Sequence, residues 1–133
     1  MYTANFRGYI VPEVSGTYIL QVSNVDDIVL FWYGDNAYSG WTRDNANVDV
    51  AYNDVTATFG KVQFNFQLTA GEYTPIRLMY ANGGYGGSFR IQLLDPSSTV
   101  IFGPEVEDNE NVVQYGCSPA DDAPAFPAYG AET

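Results

Sequence analysis

The chain of 133 residues contains no histidine and a single cysteine, Cys117. Without histidine it lacks the commonest general base, the Ser-His and Cys-His nucleophile pairs, and imidazole metal ligands. One cysteine excludes a disulfide within these residues and any zinc motif built on paired cysteines, so Cys117 is either a free thiol or has its partner outside this segment. These absences argue against an enzyme.

Positive charge is scarce as well. Five basic residues stand against 16 acidic ones, which gives a formal net charge of −11. This excess argues against nucleic acid or an anionic membrane as a partner, and it leaves carboxylates available for a hard cation such as Ca²⁺.

Long apolar runs and a leader are also missing. No run approaches the roughly 18–20 residues of a membrane helix, so no membrane insertion is predicted. Residues 1–7 lack the charged start and apolar block of a signal peptide. We expect the segment to belong to a longer, multi-domain secreted chain.

What the sequence does contain is a series of short strand-like runs separated by turn residues. Apolar and polar residues alternate with a period of two, and 16% of the residues are aromatic, a composition typical of strands. In residues 61–68, Val62, Phe64, Phe66 and Leu68 are predicted to face inward. The predicted strands are 6–11, 17–23, 28–33, 48–52, 61–68, 76–80, 89–93 and 99–102. The pattern predicts an all-β fold, an antiparallel sandwich or barrel.

The composition changes near the end of the chain, where residues 118–133 are rich in Pro and Ala. We predict one domain over residues 1–117, followed by an extended tail or linker over residues 118–133. This segment either packs on the domain or leads out of it.

Two adjacent acids, Asp26 and Asp27, lie between two predicted strands. Their carboxylates repel each other unless a cation or a proton intervenes. Consecutive side chains of a strand point to opposite faces, so both reach one ion only if the backbone is distorted, for example by a cis peptide bond. The alternative is a turn with two solvated acids.

A second oxygen-rich loop, Asn82-Gly-Gly-Tyr-Gly-Gly87, also lies between predicted strands. Asn82 offers an amide oxygen, and the glycines free the backbone to turn carbonyls, such as those near Gly84 and Gly86, towards a ligand. Together with Asp26 and Asp27 these groups could hold one Ca²⁺ with positions left open for vicinal sugar hydroxyls. The alternative for residues 82–87 is a flexible hairpin loop.

Aromatic residues near these loops could contact a sugar. Trp41 and Tyr85 are the candidates, since an exposed ring gives a flat platform for a pyranose; Gly83, next to Asn82, joins the predicted ligand-binding set. The alternative for Trp41 is packing on the core, which is also the prediction for Trp32. An EF-hand beginning at Asn45 is excluded because its sixth position is not Gly and its twelfth is not Glu.

The order of four motifs resembles a known family. These are Gly16-Thr-Tyr, Val25-Asp-Asp-Ile, Trp32-Tyr-Gly-Asp-Asn-Ala-Tyr-Ser-Gly-Trp41 and Pro75-Ile-Arg-Leu-Met-Tyr-Ala-Asn82. They resemble the GLEYA domain, the lectin-like branch of the PA14 superfamily found in fungal adhesins related to flocculins, over roughly residues 6–102. The Gly-Leu-Glu-Tyr-Ala run that names the family is absent.

The resemblance implies a PA14-like β-sandwich and a Ca²⁺ held by a cis pair, Asp26 and Asp27, by Asn82 and by loop carbonyls. It further implies that a terminal sugar binds through the ion.

The sequence therefore predicts calcium-dependent binding of a glycan with a terminal hexose or N-acetylhexosamine, by an extracellular adhesin of a fungal cell wall or cell surface. The alternative is a structural or assembly module of a secreted protein without sugar binding. A two-carboxylate glycosidase is disfavoured. Its two carboxyl groups must lie about 5 Å or more apart on either side of the glycosidic bond, and acids that are neighbours in sequence cannot do so.

Overall fold

A computed structural model describes residues 1–118, 120–128 and 130–132. Its strands are β1 (Tyr2–Ile10), β2 (Gly16–Val25), β3 (Ile28–Tyr33), β4 (Val48–Ala51), β5 (Gly60–Leu68), β6 (Thr74–Asn82), β7 (Arg90–Leu94), β8 (Val100–Phe102) and β9 (Val112–Val113). A short helix, α1 (Asp35–Tyr38), and a 3-10 turn (Arg43–Asn45) follow β3. Among the described residues, no helix has the length and apolar character needed to span a bilayer.

The strands form two antiparallel sheets. One has the order β4-β3-β6-β1-β9 and the other the order β5-β2-β7-β8. Their inner faces enclose the main core, where Phe31 of β3 meets Phe66 of β5 with ring centroids 6.3 Å apart. The predicted antiparallel β-sandwich is confirmed.

The predicted strands recur with small shifts in their ends. The bounds of β3 are as predicted, and the alternation in β5 holds for Phe66 and Leu68, which are buried. Val62 is 37% exposed, because it lies near the start of an edge strand. The two-residue strand β9 was not predicted, since it is too short to show a period.

A second apolar cluster covers the outer face of the five-stranded sheet. It contains Trp32, which is fully buried as predicted, and the ring of Trp41 packs edge-on against it with centroids 5.7 Å apart. Arg77 lies opposite Trp32 on β6 and is fully buried, although its place in the alternation predicts an outward side chain. Both faces of this part of the sheet are therefore covered.

The C-terminal segment extends this cover. Phe126 is buried among aromatic rings, including Tyr9 at 5.3 Å and Tyr38 at 5.0 Å between centroids. One carboxylate oxygen of Glu132 accepts hydrogen bonds from Arg77 Nη2 at 2.5 Å and from Arg7 Nη1 at 3.2 Å. The described part of residues 118–133 thus packs on the domain, and Pro119, Tyr129 and Thr133 lie outside the described residues.

Candidate functional site

Three connections between the two sheets meet at one end of the sandwich. Asp26 and Asp27 join β2 to β3, residues 52–59 join β4 to β5, and residues 83–89 join β6 to β7. Strands β2, β4 and β6 all end here, so the acid pair and Asn82 come to the same place although they are more than 50 positions apart. We call these three connections the site loops.

The acid pair is fixed by backbone hydrogen bonds to both other loops. Asp26 N donates to Ser88 O at 2.9 Å, and Tyr52 N donates to Asp27 O at 2.8 Å. Asp27 has φ 69°, a left-handed conformation that Asp tolerates better than most residues. The described residues contain no cis peptide bond, so the expected cis Asp-Asp bond is wrong; the left-handed turn at Asp27 redirects the chain instead.

The side chain of Asp27 joins the acid pair to the glycine loop. Its Oδ2 accepts a short hydrogen bond from Gly83 N. Asn82, which is 2% exposed, accepts a 2.8 Å bond from Gly84 N through Oδ1, while its Nδ2 lies 3.4 Å from the Tyr80 hydroxyl. The structure therefore brings Asp27 and Asn82 together.

The Tyr80 hydroxyl lies beneath this arrangement. Burial raises its pKa above the ordinary value for tyrosine; the hydrogen bond from Asn82 lowers the pKa, and the nearby Tyr2 and Asp26 raise it. Tyr80 is thus a neutral phenol at physiological pH. The negative charge of Asp26 thus acts on the hydroxyl that lies next to the Asn82 amide.

The glycine loop is open to solvent. Gly83, Gly84 and Gly86 are exposed, and Tyr85 at the tip is fully exposed with φ 61°. A Cβ added to Gly84 or Gly86 would meet nothing within 4 Å. A Cβ added to Gly87 would overlap Asn82 Nδ2 and the Tyr80 hydroxyl. Gly87 therefore leaves the space that the amide of Asn82 occupies.

We expect Gly87→Ala to displace the Asn82 amide and to weaken any ligand bound through it by about tenfold or more, because misplaced ligating groups lose affinity steeply. The matched control is Gly84→Ala, which adds the same methyl group to open space in the same loop. Calorimetric titration of both variants with the ligand tests this. Equal affinities would show that the position of the Asn82 amide does not matter.

The donor set suits a hard cation. The Asp27 carboxylate and the buried Asn82 amide meet at the exposed glycine loop, and Asp26 precedes Asp27 in the chain. Carboxylate, amide and backbone carbonyl oxygens are the groups that Ca²⁺ prefers. Within the described residues, no three His, Cys, Asp or Glu side chains gather as metal ligands, so a cation here would depend on Asn82 and on loop carbonyls. The residues present thus fit Ca²⁺ and do not fit a thiolate or imidazole metal site.

Trp41, which the sequence offered as a sugar contact, lies elsewhere. Its ring packs against Trp32, which lies four residues beyond Ile28 and so about 13 Å along β3 from that residue, the first after the acid pair, at about 3.3 Å per residue. The Arg77 guanidinium lies 4.8 Å from the Trp41 ring centroid. The structure therefore does not place Trp41 with the site loops.

The second site loop presents apolar side chains that the sequence analysis did not single out. Val55 is 96% exposed and Phe59 is 55% exposed, with the Phe59 ring 5.7 Å from that of Tyr52. No period marks this loop in the sequence. The signal that could have found Phe59 is its position directly before the strand that pairs with the end of β2.

The fold and the site loops define a class: an antiparallel β-sandwich with an oxygen-rich site at one end. A family model, the GLEYA domain, matches residues 2–95. The chain belongs to the GLEYA domain family.

Sequence relatives include proteins of Schizosaccharomyces pombe. Over 74 residues, 55% of the chain, it is 43% identical to a Schizosaccharomyces pombe protein named for cell agglutination. Over 83 residues, 62% of the chain, it is 36% identical to a second such protein, pfl4. The matches cover 6% and 14% of those relatives, so the chain spans only a small part of them.

Solved structures share the fold. The A domain of epithelial adhesin 9 from Candida glabrata, in complex with Galβ1-3GlcNAc, superposes with a TM-score of 0.60 at 22% identity, over 76% of this chain and 48% of that one. The A domain of epithelial adhesin 6, with the same disaccharide, gives 0.59 at 24% identity, over 90% and 57%.

Proposed function

We propose that this domain binds glycans with a terminal hexose or N-acetylhexosamine through a Ca²⁺ at the site loops, as part of an extracellular fungal adhesin. The observation that carries the proposal is that Gly83 N donates to Asp27 and so brings this carboxylate to Asn82 at an exposed glycine loop, with Asp26 next to Asp27 in the chain. It is supported by the cell-agglutination names of the relatives and by the disaccharides in the adhesin complexes of the same fold.

The ion would have ligands from two of the site loops. Asp26, Asp27 and the Asn82 Oδ1 would hold the ion, with carbonyls of the exposed loop near Gly84 and Gly86 completing the protein ligands. When bound, Ca²⁺ supplies open coordination positions for a pair of vicinal sugar hydroxyls. The short bond from Gly83 to Asp27 keeps the carboxylate and the amide in fixed relative positions before any ligand arrives.

Two exposed aromatic rings could contact the sugar. Tyr85 extends from the tip of the glycine loop and Phe59 from the neighbouring site loop. A ring of this kind covers the C–H face of a pyranose, while the ion and loop amides take its hydroxyls. Trp41, which packs on Trp32, has no part in this proposal.

Such a site performs recognition and no chemical reaction. It has no histidine, and its two acids are adjacent, so they cannot stand on opposite sides of a glycosidic bond. A monosaccharide buries little surface, so we expect weak affinity for one domain, and adhesion would come from many copies on a cell surface.

The test is titration calorimetry of the domain with β-galactoside disaccharides and other terminal hexoses, in Ca²⁺ and after chelation with EDTA. We expect binding in Ca²⁺ that chelation abolishes and excess Ca²⁺ restores. Binding that survives chelation would refute the role of the ion. No binding to any glycan of an array, with Ca²⁺ present, would favour a structural or assembly module instead.

A further inference from the structure

Asn82 is followed by Gly83, and this is the one Asn-Gly pair in the sequence. In such a pair the following backbone nitrogen can attack the side-chain amide carbon of the asparagine, because glycine offers no Cβ to hinder it. A new bond between this nitrogen and the amide carbon closes a succinimide ring. The bond from that carbon to the side-chain nitrogen breaks, and ammonia leaves. Water then opens the ring, giving aspartate or isoaspartate. The reaction needs no other reagent.

We propose that the Asp27 carboxylate protects Asn82 from this modification. The attacking nitrogen would be Gly83 N, and its hydrogen is held by Asp27 Oδ2. The nitrogen attacks only after it loses that proton, and a hydrogen bond to an anionic acceptor stabilises the protonated amide. The same bond keeps the nitrogen directed at Asp27 and away from the Asn82 side chain.

The amide group of Asn82 is restrained as well. Its Oδ1 accepts a hydrogen bond from Gly84 N at 2.8 Å, and its Nδ2 is enclosed by Tyr80 and Gly87. Only 2% of the residue is exposed, so water has little access to the amide, from which ammonia must leave. Attack therefore requires two changes. The amide must turn out of this enclosure, and Gly83 N must lose its bond to Asp27.

The modification would disable the site that we propose. Aspartate at position 82 would replace a neutral amide with a third carboxylate, and isoaspartate would add a carbon to the backbone of the loop. This functional consequence rests on the proposed glycan site. The protection of Asn82 by Asp27 does not.

The experiment measures the modification directly. The domain and the free peptide 78–90 are incubated at mildly alkaline pH without Ca²⁺, the protein is digested with trypsin, and peptides are separated by mass spectrometry. Cleavage after Arg77 and Arg90 releases residues 78–90, in which Asn82 is the only amide side chain. We expect slow conversion in the folded protein and fast conversion in the free peptide.

Variants identify the protecting group. Asp27→Ala should convert Asn82 about tenfold faster than the wild type, the effect expected for loss of one charged hydrogen bond. Asp54→Ala, which removes an exposed acid from another site loop, should match the wild type. Adding Gly83→Ala to Asp27→Ala should slow conversion again, since the added methyl hinders attack and meets no atom closer than 3.4 Å.

Equal rates in the wild type and Asp27→Ala, or a folded protein as reactive as the free peptide, would overturn the inference. Circular dichroism and protection of other tryptic sites show whether Asp27→Ala is folded. If it is unfolded, Asp27→Asn, which keeps an acceptor oxygen without the charge, should give an intermediate rate, and a wild-type rate there would also count against the inference. A protein that shows this protection yet binds no glycan leaves the inference standing and refutes only the proposed function.

Discussion

Asp27→Asn is expected to lower the affinity for Ca²⁺ by at least about 100-fold and to remove glycan binding at concentrations that saturate the wild type. The substitution keeps the size of the side chain and an oxygen that can accept from Gly83 N, so the loop geometry is conserved. What it removes is one of the two negative charges that would offset the charge of the ion. The effect should therefore appear in metal affinity before it appears in stability.

Thermal unfolding with and without Ca²⁺ gives the measurement. A ligand that binds only the folded state stabilises it by about 2.7 kcal/mol at a concentration 100 times its Kd. The wild type should show a calcium-dependent rise in melting temperature, and Asp27→Asn should show none at the same concentration. The control is Asp54→Asn, an exposed acid in a neighbouring site loop, which changes the net charge equally. An equally large effect of Asp54→Asn would mean that the net negative charge of the domain attracts Ca²⁺, and not that Asp27 is a ligand.

Glu132→Ala is expected to lower the free energy of unfolding by about 3–5 kcal/mol, because it leaves two largely buried guanidinium groups without their shared carboxylate. Arg77 has no exposed side-chain surface and Arg7 has 18%. Arg77 would keep its bonds to Ala37 O and Asn5 Oδ1, but these neutral acceptors do not balance its charge. The segment that carries Phe126 should loosen at the same time.

Urea denaturation measures this loss, and Glu105→Ala is its matched control. Glu105 also pairs with an arginine, Arg90 at 3.0 Å, but its side chain is 77% exposed. A solvent-exposed pair contributes about 0–1 kcal/mol, so the control should remain close to the wild type. A Glu132→Ala variant as stable as the control would mean that the C-terminal segment does not hold the outer face of the sheet.

The strands were predictable because side chains alternate between the two faces of a sheet, so burial of one face gives apolar residues at every second position. β2 and the later half of β5 follow this rule closely, whereas β3 is apolar throughout because both of its faces are covered. Arg77 does not, because its cover comes from residues some 50 positions later, and no local pattern encodes that contact. The same limit explains Trp41, whose packing on Trp32 depends on how the segment after β3 folds back.

The candidate site was predictable in composition and only partly in geometry. Adjacent acids at a strand junction and an Asn before glycines are readable from residue types. The hydrogen bond between Gly83 and Asp27 depends on which strand ends are neighbours, and that is a property of sheet order. The left-handed Asp27, in place of the expected cis bond, is a choice between two backbone distortions that residue identity alone does not determine.

The arrangement of the site loops makes the candidate site sensitive to the whole fold. Asp27 bonds to a loop leaving β6 of the five-stranded sheet, while Asp26 bonds to Ser88, which leads into β7 of the other sheet. A small slip of one layer over the other would pull these contacts apart even with each layer intact. The proposed sugar binding would therefore serve as a conformational probe. A preparation that binds sugar would have both layers in register, and partial misfolding would reduce binding before any strand content is lost.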